Sequence, residues 1–164
     1  LDYNDLVKRD VVYYKKFSNI PFNGTTTGQE QGKLKNGKRE GLWLGYYENG
    51  QLERKCNYKN GKEEGSWVTY HDNGQLKEKS NKKNGKTEGI WLGYYDNGQL
   101  WKEGDYKNGK KEGSWVYYHK TGQLFGKGNY KNGETDGFWG HYYKDGTFIG
   151  GLTGTYKDGK RIGD

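Results

Sequence analysis

Three histidines and one cysteine are the side chains of this sequence that could hold a metal ion or act as nucleophiles. They are His71, His119, His141 and Cys56. His71 and His119 take the same place in a 24-residue sequence repeat and lie two repeats apart, which is roughly 19 Å at strand spacing. Zn–N bonds are about 2 Å long, so these imidazoles are not expected to share a metal. Cys56 has no histidine at its own level of the repeat, so a Cys–His nucleophile is not indicated.

The 29 glycines could suggest phosphate-binding loops. None is followed by a helix with a Gly-Lys-Ser/Thr motif, so these glycines are predicted to lie in turns. The sequence therefore predicts no catalytic residue, no metal site and no cofactor. The protein is predicted not to be an enzyme.

Lysines flank a recurring Asn-Gly turn and are predicted to project from one edge of a sheet. This basic edge comprises Lys59, Lys62, Lys83, Lys86, Lys107 and Lys110, in a chain of net charge +7. Two interpretations stay open: the lysines prevent aggregation and keep the chain soluble, or they bind an anionic lipid or polysaccharide. Nucleic acid is the weaker option, because the sequence contains no recognised nucleic-acid-binding module.

The residue after the turn leucine changes character from repeat to repeat. The series is Glu53, Lys77, Trp101, Phe125 and Ile149. Strand pairing predicts that Trp101 faces Tyr94 and that Phe125 faces Tyr118. Such rings form either a binding site for a protein partner or ordinary cross-strand ring packing.

A 24-residue repeat must position all of these side chains. The tryptophans at 43, 67, 91, 115 and 139 are each 24 apart, and series of glycine and tyrosine keep the same step, which indicates a repeat architecture. Each repeat contains a strand-type run such as GLWLGYY, then Asn49-Gly50, which predicts a type I′ hairpin turn. The predicted fold is all-β: an elongated, twisted antiparallel β-meander of tandem 24-residue β-hairpin repeats, capped at both ends.

The two-residue turn also predicts the strand register. Its expected cross-strand pairs are Tyr47 with Leu52, Gly45 with Arg54, and Trp43 with Cys56. One face, carrying Trp43, Tyr47, Leu52 and Tyr58, is predicted to be the packed side.

One repeat domain is predicted over residues 1–164. It divides into an N-terminal cap (1–24), a shortened repeat (25–40), about five 24-residue repeats (41–148) and a C-terminal partial repeat or cap (149–164). The chain has no Met, so we expect an N-terminus that has been processed or trimmed, with any signal peptide outside the visible sequence. No apolar run approaches the roughly 20 residues of a membrane span, so no transmembrane segment is predicted.

The repeat unit Tyr-Lys-Asn-Gly-Lys-x-x-Gly-x-Trp-x-x-Tyr-x-x-Asn-Gly-x-Leu resembles the MORN-variant repeat. It occurs at 106–124, where Lys120-Thr121 departs from the pattern, and Lys82 departs elsewhere by replacing the tyrosine of Tyr58, Tyr106 and Tyr130. The whole chain resembles bacterial MORN-variant proteins labelled YwqK-type antitoxins. The segment YNDLVKRDVVYYKKFSNIPFNG is similar to the leader of exported members.

This resemblance implies a β-hairpin array and a bacterial protein exported to the periplasm or the cell surface. It also implies a non-catalytic protein-interaction module with an antitoxin- or immunity-like role. The alternative is an envelope or surface protein that binds anionic lipid or glycan through the basic edge.

Overall fold

A computed structural model describes residues 1–163, and strands account for all of its regular structure except one 3-10 turn, Tyr3–Asp5. The strands are β1 (Leu6–Arg9), β2 (Val12–Lys15), β3 (Gly24–Thr26), β4 (Glu30–Lys35), β5 (Lys38–Tyr46), β6 (Leu52–Lys59), β7 (Lys62–Tyr70), β8 (Leu76–Lys83), β9 (Lys86–Thr87), β10 (Gly89–Tyr94), β11 (Leu100–Lys107), β12 (Lys110–Tyr118), β13 (Leu124–Lys131), β14 (Glu134–His141), β15 (Gly154–Lys157) and β16 (Lys160–Gly163).

Strand pairing is antiparallel and follows chain order. Strands β1 and β2 form a two-stranded sheet, and the other strands form a 14-stranded sheet in which β9 pairs with β8 beside the main path. The predicted antiparallel meander of hairpin repeats is confirmed. No helix among residues 1–163 is long and apolar enough to cross a membrane.

The first full repeat contains two Asn-Gly turns of different geometry, and the type I′ turn is not the predicted one. At Asn60-Gly61 both residues have positive φ, 52° and 80°, and Lys59 pairs directly with Lys62, as a type I′ turn requires. At Asn49-Gly50 only the glycine has positive φ, 83°. There Gly50 N donates to Tyr47 O at 2.9 Å and Tyr47 N donates to Gln51 O at 2.8 Å. The loop therefore has three residues and ends in a glycine bulge.

The three-residue loop changes one predicted pair of β5 and β6, and a second bulge farther along these strands keeps two others. Leu52 lies opposite Tyr46 and not Tyr47 because the loop has three residues, and a register shift between Gly45 and Tyr46 then restores the predicted register. Gly45 with Arg54 and Trp43 with Cys56 pair as predicted. The bulge absorbs the odd residue of the loop, so Trp43 and Cys56 still share the packed face, where they are 1% and 0% exposed.

Three of the repeat tryptophans lie against a glycine of the preceding strand, at a position that is small in every repeat. The small residues recur every 24 positions as Gly32, Cys56, Ser80, Gly104 and Gly128. Trp43, Trp115 and Trp139, whose rings cover glycines, are buried, whereas Trp67 and Trp91 are half-buried. Each buried indole also donates its Nε1–H to a backbone carbonyl of that strand, at 2.9 to 3.2 Å.

The chain divides into two compact units. Unit 1 comprises residues 1–76 and 82–86, and unit 2 comprises residues 77–81 and those from 87 onwards. The core of unit 1 is Leu34, Trp43 and Cys56, and side chains of the first 22 residues, among them Tyr3 and Phe22, pack against it. The core of unit 2 centres on the buried Trp115 and Trp139.

The contact between Trp115 and Gly104 gives a stability prediction. A methyl group added at Gly104 would overlap the Trp115 ring, so Gly104→Ala should lower the free energy of unfolding by about 1–3 kcal/mol. Gly150→Ala is the control, because nothing lies within 4 Å of the added methyl group, and it should change stability by less than about 0.5 kcal/mol. Urea unfolding of both variants measures the difference, and equal effects would contradict the packing argument.

Candidate functional site

A continuous row of rings crosses one face of unit 2. It runs through Trp91, Trp115, Tyr117, Trp139 and His141, with successive ring centroids 5.9 to 6.2 Å apart. These residues come from β10, β12 and β14, and alternation along each strand places them on the same side of the sheet. We call this set the aromatic row.

A groove of about 340 Å³ opens at the C-terminal part of the aromatic row. Its lining residues are Tyr117, Phe125, Tyr130, Thr135, Trp139, His141, Leu152 and Tyr156. Apolar and aromatic walls with a few polar atoms are typical of ligand and partner sites, and the volume lies in their usual range. We call it the aromatic groove.

The histidines act as aromatic side chains with a polar edge. His141 stacks on Trp139 at 5.9 Å, and burial lowers its pKa against the opposing effect of a backbone hydrogen bond at Leu152. His119 packs on Phe125 at 5.1 Å, and its Nε2 lies 3.0 Å from Tyr142 O. Within residues 1–163 no group of three or more His, Cys, Asp or Glu side chains could hold a metal.

Cys56 is buried in unit 1, so its thiol has little access to a substrate. Burial is the main cause that raises the pKa of Cys56, which reduces the share of the nucleophilic thiolate. The thiol lies 3.8 Å from Trp43 O, as expected of a packing residue.

In unit 2, the side chains of Lys102 and Lys111 lie over aromatic rings. Lys111 Nζ is 4.4 Å from the centroid of Trp115 and 4.5 Å from that of Tyr130, and it donates to the Tyr117 hydroxyl at 2.7 Å. Burial, helped by the charge of Lys102, lowers the pKa of Lys111 to about 8. Lys102 Nζ lies 4.6 Å from Trp91 and 4.0 Å from Trp101. Burial also lowers the pKa of Lys102, and the negative charge of Glu78 opposes this shift.

The predicted Trp101–Tyr94 pairing is wrong by one residue. Trp101, which is 40% exposed, packs on Tyr95 at 6.1 Å, and Tyr94 lies opposite Leu100. The cause is a bulge between Gly93 and Tyr94, which follows from the three-residue loop.

The predicted Phe125–Tyr118 pairing is wrong for the same reason. Phe125 packs on His119 and His141, and the Tyr118 hydroxyl donates to Glu103 at 2.9 Å. The structure therefore places Phe125 in the aromatic groove, whereas Tyr118 lies opposite Leu124. The role of the four predicted binding residues stays a prediction.

The sequence did not predict Lys102, Lys111 or Tyr117 as site residues, and it indicated Tyr130 and Trp139 only as repeat positions. A comparison of residues 24 apart could have found the two lysines. The series through Lys111 is Arg39, Glu63, Thr87, Lys111 and Thr135, and the series through Lys102 is Glu30, Arg54, Glu78, Lys102 and Gly126.

A series of carboxylates is interleaved with the basic edge. Lysines flank the type I′ turns, with Lys59 opposite Lys62 and Lys107 opposite Lys110. In four of these turns, a glutamate 20 residues earlier in the chain accepts a hydrogen bond from the asparagine N–H. These pairs are Glu40–Asn60, Glu64–Asn84, Glu88–Asn108 and Glu112–Asn132, at 2.7 to 2.9 Å. The carboxylates reduce the positive potential of the basic edge, whose binding role stays a prediction.

The lowered pKa of Lys111 predicts how stability depends on pH. Between the folded pKa of about 8 and the ordinary value of 10.5, the unfolded chain binds more protons at this site than the folded chain. The contribution of Lys111 to stability therefore rises with pH across that window. Urea unfolding should show the wild type gaining stability relative to Lys111→Met from pH 8 to 10.5. Lys110→Met, on the neighbouring exposed edge, is the matched control, and an equal pH dependence for both variants would contradict the burial of Lys111.

Sequence comparison agrees with this geometry. The family model described as MORN repeat variant matches four tandem segments, residues 39–60, 63–84, 87–108 and 111–132. Repeats of this family are generally modules that bind proteins or lipids. A search of curated proteins found no match to the chain. Because the four matched segments cover more than half of the residues and coincide with successive strand pairs of the sheet, the chain belongs to the MORN repeat variant family.

Proposed function

We propose that this chain is a non-catalytic protein-interaction module that binds a protein partner through the aromatic groove and the exposed ring of Trp101. The observation that carries the proposal is the groove itself, where Phe125 and the rings of Tyr117, Tyr130 and Trp139 line one opening. Aromatic side chains dominate the energetics of protein interfaces because each buries a large area at a small cost in conformational entropy. The net charge of +7 favours a partner with an acidic surface.

The finer role that we propose is antitoxin- or immunity-like, in a bacterial protein exported to the periplasm or the cell surface. Its support is the resemblance of the repeats and of residues 3–24 to exported YwqK-type proteins. Co-expression with the product of the adjacent reading frame tests this role. The chain should relieve growth arrest caused by that product, and growth arrest that persists would contradict it.

A second candidate function is binding of anionic lipid or glycan through the basic edge. Its support is the pair of lysines at type I′ turns such as Lys59 with Lys62, since successive turns within one unit lie about 10 Å apart. The interleaved glutamates count against it, because each neutralises part of the charge of its turn.

Deleting the proposed contact rings should weaken capture of the partner. Trp101→Ala with Phe125→Ala should reduce retention of the partner from an extract of the source organism by about tenfold or more, as measured by quantitative mass spectrometry. Ile90→Ala with Phe138→Ala is the matched control, since these side chains are 66% and 51% exposed and alternate to the opposite face. Unchanged retention by the first variant would rule out the aromatic surface, and equal losses would show that the effect is not specific to it.

Vesicle binding tests the second candidate function. If it is correct, phosphatidylglycerol vesicles should retain the chain and phosphatidylcholine vesicles should not. Replacement of Lys59, Lys83 and Lys107 by Gln should then weaken co-sedimentation by more than about tenfold. Binding that persists at high salt would count against the basic edge, because salt screens exposed charges.

A further inference from the structure

In unit 1, a carboxylate joins two cations on the packed face. Glu30 accepts from Arg39 at 3.2 Å and also pairs closely with Arg54. The Arg39 guanidinium lies 4.4 Å from the centroid of Trp43 and 5.2 Å from that of Tyr58. The carboxylate thereby neutralises a guanidinium that rings largely shield from water.

Unit 2 has the same repeat positions but lacks the carboxylate. Three repeats along the chain, Lys111 takes the place of Arg39 and Lys102 takes the place of Glu30. Lys111 lies over Trp115 just as Arg39 lies over Trp43. The arrangement of cation and anion in unit 1 has thus become an arrangement of two cations.

The two ammonium groups lie over adjacent rings. Lys102 lies over Trp91 and Lys111 lies over Trp115, and the two ring centroids are 6.1 Å apart. Among residues 1–163, no carboxylate oxygen lies within 4.0 Å of either lysine nitrogen. The charge of Glu78 raises the pKa of Lys102 and so opposes the effect of burial. The Glu78 carboxylate already accepts hydrogen bonds from Trp91 Nε1 at 2.8 Å and from Ser80 Oγ at 2.9 Å. Two partly desolvated like charges repel each other, and a bound anion would remove that repulsion.

Two phenol groups complete the set of donors around Lys111. The Tyr117 hydroxyl lies 2.7 Å from Lys111 Nζ and 3.2 Å from the Tyr130 hydroxyl. Burial, followed by the hydrogen bond with Tyr130, raises the pKa of Tyr117. Its hydroxyl therefore stays protonated and can donate to an anion at neutral pH.

We propose that Lys102 and Lys111 form a binding site for a carboxylate, which an aspartate or glutamate side chain of a protein partner supplies. The carboxylate chemistry follows from unit 1, where Glu30 is the group that joins the corresponding positions. The protein source of the carboxylate rests on the proposed function, since Lys102 also contacts the exposed Trp101 ring and Tyr117 also lines the aromatic groove.

An internal carboxylate tests the site without any partner. Lys102→Glu restores the charge arrangement of unit 1, so it should raise the pKa of Lys111 by about 1 or more. Nuclear magnetic resonance of ¹³Cε-labelled lysines measures that pKa directly. Lys107→Glu makes the same change of net charge on the basic edge and is the matched control. An unchanged Lys111 pKa in Lys102→Glu, or an equal rise in both variants, would overturn the site.

External carboxylates test the ligand and its source. Poly-L-glutamate, sodium acetate and sodium phosphate are titrated at constant ionic strength while the Lys102 and Lys111 resonances are followed. Poly-L-glutamate should shift both resonances saturably, and Lys102→Glu should abolish the saturation while Lys107→Glu retains it. No saturable shift would overturn the proposal. If phosphate binds more tightly than poly-L-glutamate, the assignment of the ligand as a carboxylate is wrong. If acetate binds as tightly as poly-L-glutamate at the same carboxylate concentration, the assignment of the carboxylate to a protein partner is wrong.

The same titration separates failure of the site from failure of the proposed function. Trp101→Ala with Phe125→Ala leaves both lysines in place, so poly-L-glutamate should still saturate this variant. If poly-L-glutamate binds but the ring variant captures partner like the wild type, the proposed function fails and the carboxylate site stands. If the ring variant loses the partner but poly-L-glutamate fails to bind the wild type, the carboxylate site fails and the proposed function stands.

Discussion

The contact of an indole ring with the backbone of a neighbouring strand is the interaction on which the rest of this structure depends. Among residues 1–163, three of the five buried hydrophobic residues are tryptophans, and each such ring buries a large apolar area. The ring lies flat only where the neighbouring residue is small, and its Nε1–H then reaches a carbonyl of the same strand, as Trp115 does over Gly104. Where that residue is Cys56 or Ser80, the facing tryptophan of the next repeat is only half-buried.

Hydrogen bonds at the turns fix each repeat to the one before it. Gly61 N donates to Arg39 O, and Asn60 N donates to the Glu40 carboxylate; later repeats make the same contacts. These bonds satisfy backbone groups that would otherwise lie open at the strand ends. They also explain why glutamates recur beside the lysines. The sequence alone predicted only an edge that carries the positive charge of lysines.

A framework fixed in this way lets a few other positions vary without loss of the fold. The position of Arg39 becomes Lys111 and the position of Glu30 becomes Lys102, so a neutralised pair in unit 1 is replaced by two like charges in unit 2. Residues 1–22 supply Tyr3 and Phe22 to the packed face of unit 1. In unit 2 the corresponding face carries the aromatic groove. The chemistry of each unit thus depends on the residues that break the repeat.

The sequence by itself determined the 24-residue repeat, the antiparallel hairpins and the pairing of Trp43 with Cys56, because these follow from local periodicity and turn residues. It could not determine which Asn-Gly turn is type I′. The two turns share that dipeptide, and the Asn49 side chain accepts from Gln51 N at 3.0 Å in a loop that is one residue longer. The resulting bulge moved Trp101 onto Tyr95 and Phe125 onto His119. Only the tertiary structure brought Lys102 and Lys111 over adjacent rings, because side chains of three consecutive strands, β10 to β12, meet there and charge repulsion depends on distance in space.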